Sequence, residues 1–467
     1  MRISTWLQPL MVRLSRPRPR RLSQRPAFRP RLEALEDRLT PSGGGLLDPT
    51  FGSGGIVHLP STTDTRASAV AVQPDGKVVV AGYAGNYLSV QRLNPDGSLD
   101  TTFNKTGSVT ITTGKGDNAT SVALQPDGKI LVGGDATANN GTGEFLIARV
   151  NANGTLDSTF ASKGIWVSSY TAGQVNGLAV LTDPANPNNV TGIVAAAQGF
   201  VNGKQCFETI ELSAAGKLDS SFGSGGFAVL ANLSGGQAKA VAVAPSGEIY
   251  LAGYLPFGSG AVWDGCLAAV TPAGALDETF GGGAGYVLAY PPGSQESGFY
   301  DLVVQTLTVN GQTVSRLITA GNDSNADPSG NPAGFVSAYT LGGTLDTTFG
   351  SGGSYTFVSP PGEYSHFNSL ALEADGSIVV GGDQYYLAAD GNYHPEILVG
   401  HLTAAGVADT SFGSDGTGFT TVQDGQNSEA MGLAIDPRNG DILTCGYTTK
   451  TGSPAPWEAD ILRFTAP

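Results

Sequence analysis

A stretch reading Leu-Asp-x-Thr/Ser-Phe in its fullest form returns seven times in this chain, and no other feature restricts the possible folds as much. The copies carry Asp48 and Phe51, Asp100 and Phe103, Asp157 and Phe160, Asp219 and Phe222, Asp277 and Phe280, Asp346 and Phe349, and Asp409 and Phe412, the last with Ala408 in place of Leu. Steps from Asp to Asp are 52, 57, 62, 58, 69 and 63 residues. Self-similarity at such a period signals a propeller or another repeat array, whose units bury their apolar faces only against neighbours.

Each unit supplies four strand-like runs. In the first these are Gly55 to Leu59, Ala69 to Gln73, Lys77 to Gly82 and Tyr87 to Leu93. Short β-branched runs parted by Gly, Pro, Asn and Asp predict an all-β fold, and no amphipathic helix of useful length interrupts them. The turns recur too. Pro74-Asp75-Gly76-Lys77 and Pro126-Asp127-Gly128-Lys129 form one series, with Pro245-Ser246-Gly247 and Ala374-Asp375-Gly376 as variants. A second series follows the fourth run, at Pro95-Asp96-Gly97, Ala152-Asn153-Gly154 and their equivalents. Both are expected on one face of the array, because each ends a strand running the same way. The third unit (Asp183 to Asn188) and the fifth (Asn310-Gly311) depart from the pattern, which predicts longer turns there.

Seven four-stranded units laid in line would leave two unpaired edges, and radial closure removes them. The expected fold is therefore an all-β, seven-bladed propeller of four-stranded antiparallel blades. The body starts just before a first-type run and ends just after a fourth-type run, Ala459 to Phe464. This phase predicts that residues 54–60 complete the last blade beside 459–465. It also makes the Ala-Val-Ala-Val run and its equivalents innermost, where Asp301 is an anomaly that implies a wet channel or a shifted register.

Residues 46–467 are expected to form the propeller, and residues 1–45 a disordered basic segment. Those first 45 residues hold ten Arg against three acids, whereas the remainder holds 15 bases against 37 acids, a net charge of −22. A body so acidic repels nucleic acid. The apolar patch Trp6 to Leu14 is too short and too interrupted to span a bilayer. The cysteines Cys206, Cys266 and Cys445 lie in strand-like runs at unrelated positions, which predicts buried free thiols.

The order LDxTFG, apolar run, QPDGK, VVVAG, apolar run and again LDxTF resembles the delta-60 repeat family of bacterial, mostly surface or secreted, proteins. The resemblance covers residues 46–467. It implies a β-propeller and no particular activity. Separately, Leu32 to Ser42, LEALEDRLTPS, resembles the LExLExR-type leader motif of extracellular planctomycete proteins, which implies export and a secreted or cell-surface location.

Two roles compete for the seven repeated Asp. Their spacing to Thr or Ser suits an Asx-turn, with Phe buried between blades. The alternative is a calcium or sugar site at each copy, and Ca²⁺ is poorly served by one carboxylate per unit. The residues predict no cofactor, with Ca²⁺ as the alternative. Function is instead expected on the opposite face, where loops vary. The residues ending each third run, Tyr83, Asp135, Gln198, Tyr254, Asn322, Asp383 and Tyr447, form a candidate rim, supplemented by Trp263, Tyr386, His394 and His366 and by loop residues such as Asp327. Such side chains suit hydrogen bonding and stacking with a polar ligand, a glycan or a protein. The expectation is a monomeric binding or adhesion module, more in keeping with these residues than an enzyme. A propeller hydrolase or lactonase-like enzyme, with a divalent metal near His366, His394, Asp383 and Glu363, is the alternative. No HExxH, GxSxG or CxxC motif supports it.

Overall fold

The loop at Pro74-Asp75-Gly76 shows how one unit folds. Gly76 N–H donates to the Gln73 carbonyl and Gln73 N–H to the Lys77 carbonyl, both at 2.8 Å, and Gly76 takes φ +81°. That left-handed conformation costs a residue without Cβ little, so the chain reverses tightly and its flanking apolar runs pair. The computed structural model describes residues 44–467 apart from 60–62, 115, 138–142, 169–172, 202, 258–261, 290–296, 310, 325–330 and 450–456. The expected leader motif and Asp327 lie outside the described residues.

Seven antiparallel sheets of four strands result. Blade 1 runs outward through Thr65–Val72, Val78–Ala84, Tyr87–Leu93 and Ser108–Ile111. The inner strands of blades 2 to 6 are Asp117–Leu124, Gly173–Asp183, Gln237–Val243, Ser297–Val309 and Tyr364–Leu372. Blade 7 takes Asn427–Ile435, Ile442–Thr449 and Glu458–Phe464 from the end of the chain and Ile56–His58 from its beginning. Ile56 faces Leu462 and His58 faces Asp460, so the ring closes three-plus-one as the repeat phase predicts. One 3₁₀ turn, Phe280–Gly282, is the only helical element among the described residues.

The core is divided among the junctions between blades. Phe51, Phe103, Phe160, Phe222, Phe280, Phe349 and Phe412 each occupy a separate apolar cluster and are at most 1% exposed. Burying one such ring contributes about 1.5–3 kcal/mol. All three cysteines are buried and free.

One expectation needs correction. In blades 3 and 5 the departures lengthen strands rather than turns: Gly173–Asp183 pairs with Asn186–Val201, and Ser297–Val309 with Gln312–Asp323. Asp183 accepts the Ala185 N–H at 2.8 Å, so the turn itself stays tight. Asp301 lines the central channel beside a slip of register between Phe299 and Asp301. Its carboxylate accepts the N–H of Leu302 at 2.8 Å and, from blade 6, the Leu370 N–H at 2.8 Å and the Ser369 hydroxyl at 3.1 Å. It thereby ties two inner strands together, and burial pushes its pKa up to about 6 against the opposing pull of these donors.

Candidate functional site

Every inner strand carries a β-bulge at the same place. The register with the second strand slips between Ala67 and Ala69, Ala119 and Ser121, Val175 and Gly177, Ala238 and Ala240, Phe299 and Asp301, Phe367 and Ser369, and Ala430 and Gly432. A bulge re-aims the extra residue. Here those residues are Ser68, Thr120, Asn176, Lys239, Tyr300, Asn368 and Met431, and all line the central channel, a space of about 220 Å³. Several reach the next blade: Asn176 Nδ2 donates to the Ala238 carbonyl at 2.7 Å, Asn368 Nδ2 to Ala430 at 2.9 Å, and the Thr120 hydroxyl to Val175.

Sequence reasoning missed this ring because its members share no chemistry. A signal was present one strand away. Gly82, Gly134, Gly253, Gly321, Gly382 and Gly446 stand opposite the bulges, where an added Cβ would lie 1.7–2.0 Å from a carbonyl oxygen of the inner strand. The Ala-Gly and Gly-Gly pairs ending the second strands thus record the bulges. Only blade 3 departs, with Ala197 facing Val175.

The candidate rim residues follow these glycines, and most are engaged by protein. Asp135 accepts from Gln174 of the next blade at 2.7 Å. Gln198 stands across from Gln174 in its own blade. Asp383 is buried and accepts Asn368 Nδ2 at 2.7 Å and the Ala430 N–H at 2.8 Å, while burial and then the charge of Glu429 push its pKa well above the usual carboxylate range. Tyr447 donates to Glu429 and supports Arg66, whose guanidinium lies 4.4 Å from its ring centre and 5.8 Å from that of Tyr83. Tyr386 accepts from Gln423 and lies 6.1 Å from His394. The partners of these residues thus differ from blade to blade.

Three of the candidates do converge. Tyr254 and Trp263 of blade 4 and Asn322 of blade 5 line a cavity of about 300 Å³ at the junction of these blades. Gln237, Ser297, Gly298, Tyr300 and Ser324 complete its lining. The Tyr254 and Trp263 rings meet edge to face, 5.1 Å apart at 85°, and Tyr254 lies 6.2 Å from Tyr300. Tyr254 donates its hydroxyl to Gln237 Oε1 at 3.0 Å, which fixes the ring, and burial pushes its pKa up to about 12. Trp263 remains 36% exposed, so a flat apolar surface meets solvent beside amide and hydroxyl groups. Such a combination stacks and hydrogen-bonds polar ring compounds.

The repeated motif lies at the other face. In all seven copies the Asp accepts the N–H of the Thr or Ser two residues on, at 2.8–3.1 Å. The second carboxylate oxygen of Asp100, Asp157 and Asp346 pairs with Arg92, Arg149 and Arg316 at 2.8–2.9 Å, that of Asp48 with Arg463 at 2.6 Å and that of Asp409 with His401 at 3.0 Å. Arg92, Arg149, Arg316 and Arg463 each lie 4.6–4.9 Å from the centre of a motif Phe ring. Arg92 and Arg149 also donate to the next blade's turn, at Ala152 and Ala214, both at 2.6 Å.

Residues 73–103 and 125–160 match the model of a β-propeller domain of unknown function, DUF5122. The chain is a β-propeller. No curated protein matches it. Among solved structures it resembles a glucose dehydrogenase at 10% identity over 87% of this chain and 99% of that one, with a TM-score of 0.38. It resembles prolyl oligopeptidase B from Galerina marginata at 9% identity, over 85% of this chain and 49% of that one, with a TM-score of 0.40. Drosophila Semaphorin 2a is similar at 9% identity over 73% and 63%, with a TM-score of 0.39.

In this propeller, no group of three or more His, Cys, Asp or Glu is arranged to hold a metal ion among the described residues. His366 and His394 do not converge. His394 contacts Asp390 at 2.9 Å and Asn427 at 2.8 Å, whereas His366 packs among Tyr364 and Tyr385 and burial pushes its pKa down to about 4. Among the described residues, no helix is long and apolar enough to cross a membrane.

Proposed function

We propose that the propeller is a carbohydrate-binding module whose ligand enters the cavity between blades 4 and 5. The observation that carries this reading is the convergence of Tyr254, Trp263 and Tyr300 with Gln237, Asn322 and Ser297 around about 300 Å³. A pyranose ring presents C–H groups on one face and hydroxyls at its edge, and the cavity offers indole and phenol surfaces bordered by amides. The rigid blades hold these groups without ordering costs at binding. A secreted or cell-surface location accords with this role and is supported by the likeness of Leu32 to Ser42 to an export leader.

A glycan array probed with the full chain tests the reading. Binding to a defined set of saccharides is expected, and Trp263→Ala should weaken it by about tenfold or more. Binding that survives Trp263→Ala unchanged would place the ligand elsewhere.

A further inference from the structure

The junction between blades 7 and 1 is built on the same plan as that between blades 4 and 5. Tyr447 and Trp457 meet edge to face there, 4.8 Å apart at 87°, matching Tyr254 and Trp263 at 5.1 Å and 85°. Each tyrosine donates to the residue opposite it on the inner strand, Tyr447 to Glu429 and Tyr254 to Gln237. In the first junction Arg66, from the inner strand of blade 1, fills the space, with its guanidinium carbon 4.4 Å from the Tyr447 ring centre and 4.7 Å from that of Trp457. Blade 5 has Gly298 at the position of Arg66, opposite Asn322 as Arg66 is opposite Tyr83.

Gly298 is not demanded by the backbone. It is absent from the positive-φ glycines, and an added Cβ would meet nothing nearer than 3.5 Å, an ordinary contact. The missing side chain is what leaves the cavity open.

The charges differ in a consistent way. The filled junction holds Arg66 on the Tyr447 and Trp457 rings and Glu429 on the Tyr447 hydroxyl, with Met431 at the bulge. The open one has Gly298 and Gln237, with Lys239 at the bulge. Lys239 is the one charged member of the bulge ring, whose other members are Ser, Thr, Asn, Tyr, Asn and Met. Its ammonium lies 5.5 Å from the centre of the Tyr254 ring that walls the cavity. Tyr300 lines both the cavity and the channel, so the two spaces border each other at its side chain. The nearby channel acid, Asp301, is committed to Leu302, Ser369 and Leu370. Among the described residues no carboxylate pairs with this half-buried ammonium, and the cost of its desolvation pushes the Lys239 pKa down. A ligand carboxylate would offset that cost.

Resting on the carbohydrate reading, we propose that the ligand is an acidic saccharide of the hexuronate class, with its ring against Trp263 and Tyr254 and its carboxylate at Lys239.

Calorimetric titration of the full chain with a panel of hexuronate trisaccharides, each as the free acid and as its methyl ester, tests the proposal. The ester keeps size and shape and removes the charge. The free acid is expected to bind about tenfold tighter or more. Lys239→Gln should make acid and ester equal, and Lys239→Arg should keep the preference. Gly298→Arg, which recreates the filled junction, should abolish binding of both without lowering the melting temperature. Acid and ester bound alike by the parent protein, or a preference that survives Lys239→Gln, overturns the acidic assignment and leaves the carbohydrate reading intact. Binding of neither form by any member, or binding unaffected by Gly298→Arg, overturns both.

Discussion

Blade 3 lacks a partner that most other blades possess. Where Arg92 and Arg149 stand eight residues before their motif Asp, blade 3 has Glu211 eight residues before Asp219. Burial and then the charge of Asp219 push the Glu211 carboxyl up to about 7 from its ordinary 4.5. A carboxyl whose folded pKa lies above its unfolded one favours folding fully below the unfolded value, and that contribution is lost as pH rises through the folded value. The parent protein should therefore lose stability between about pH 4.5 and pH 7 from this group. Glu211→Gln is expected to flatten that slope, and Glu211→Arg to add a partner for Asp219, raising the melting temperature at pH 8 by roughly 2 °C. Identical melting-versus-pH curves for the parent and Glu211→Gln would remove Glu211 from the account. The repeated Asp and Phe, visible in sequence as a motif, occupy these networks, but their Arg partners came to light only in three dimensions. Arg316, on the second strand of its blade, replaces the third-strand Arg of blades 1 and 2, so no fixed spacing reveals it.

At the level of elements, strand order and phase were legible because Gly-bearing turns and alternating apolar runs are local signals. The bulges were not, because a bulge depends on what the partner strand leaves room for. The inner-strand residues that carry it range from Ser68 to Tyr300, whereas the glycines opposite are nearly invariant. Gly134→Val tests the link. A Cβ there would lie 1.9 Å from the Asn118 carbonyl oxygen. Backbone cannot yield as a flexible side chain does, so a loss of about 2–3 kcal/mol is expected in urea denaturation. An unchanged midpoint would show that the bulge tolerates a side chain. The candidate site was half legible for a related reason. Tyr254, Trp263 and Asn322 announce themselves as aromatic or polar residues near strand ends, but Gly298 matters by lacking a side chain, and Lys239 by the bulge that turns it inward.

For the whole molecule, closure rests on a short pairing between segments about 400 positions apart in the chain. Gly45 N–H donates to Thr465, Asp48 N–H to Arg463 and Leu59 N–H to Ala459, at 2.8–2.9 Å, so the opening residues run antiparallel beside the closing strand. Apolar packing supports the seam, since Leu59 and Val57 belong to one cluster with Val78, Val80 and Ile461. Heat attacks all junctions together, and this one has its own buried apolar cluster like the rest. A mechanical load is different. Gly44 and Pro467 meet at the same end of the antiparallel ladder, an added Cβ at Gly44 lying 2.3 Å from the Pro467 Cα, so tension between them opens hydrogen bonds one after another rather than all at once. In single-molecule pulling from residues 44 and 467, blade 7 is expected to peel open at low force before any other blade yields; rupture in one high-force event would contradict this. The ring should thus behave as a clasp, firm against temperature and weak against traction at its own ends.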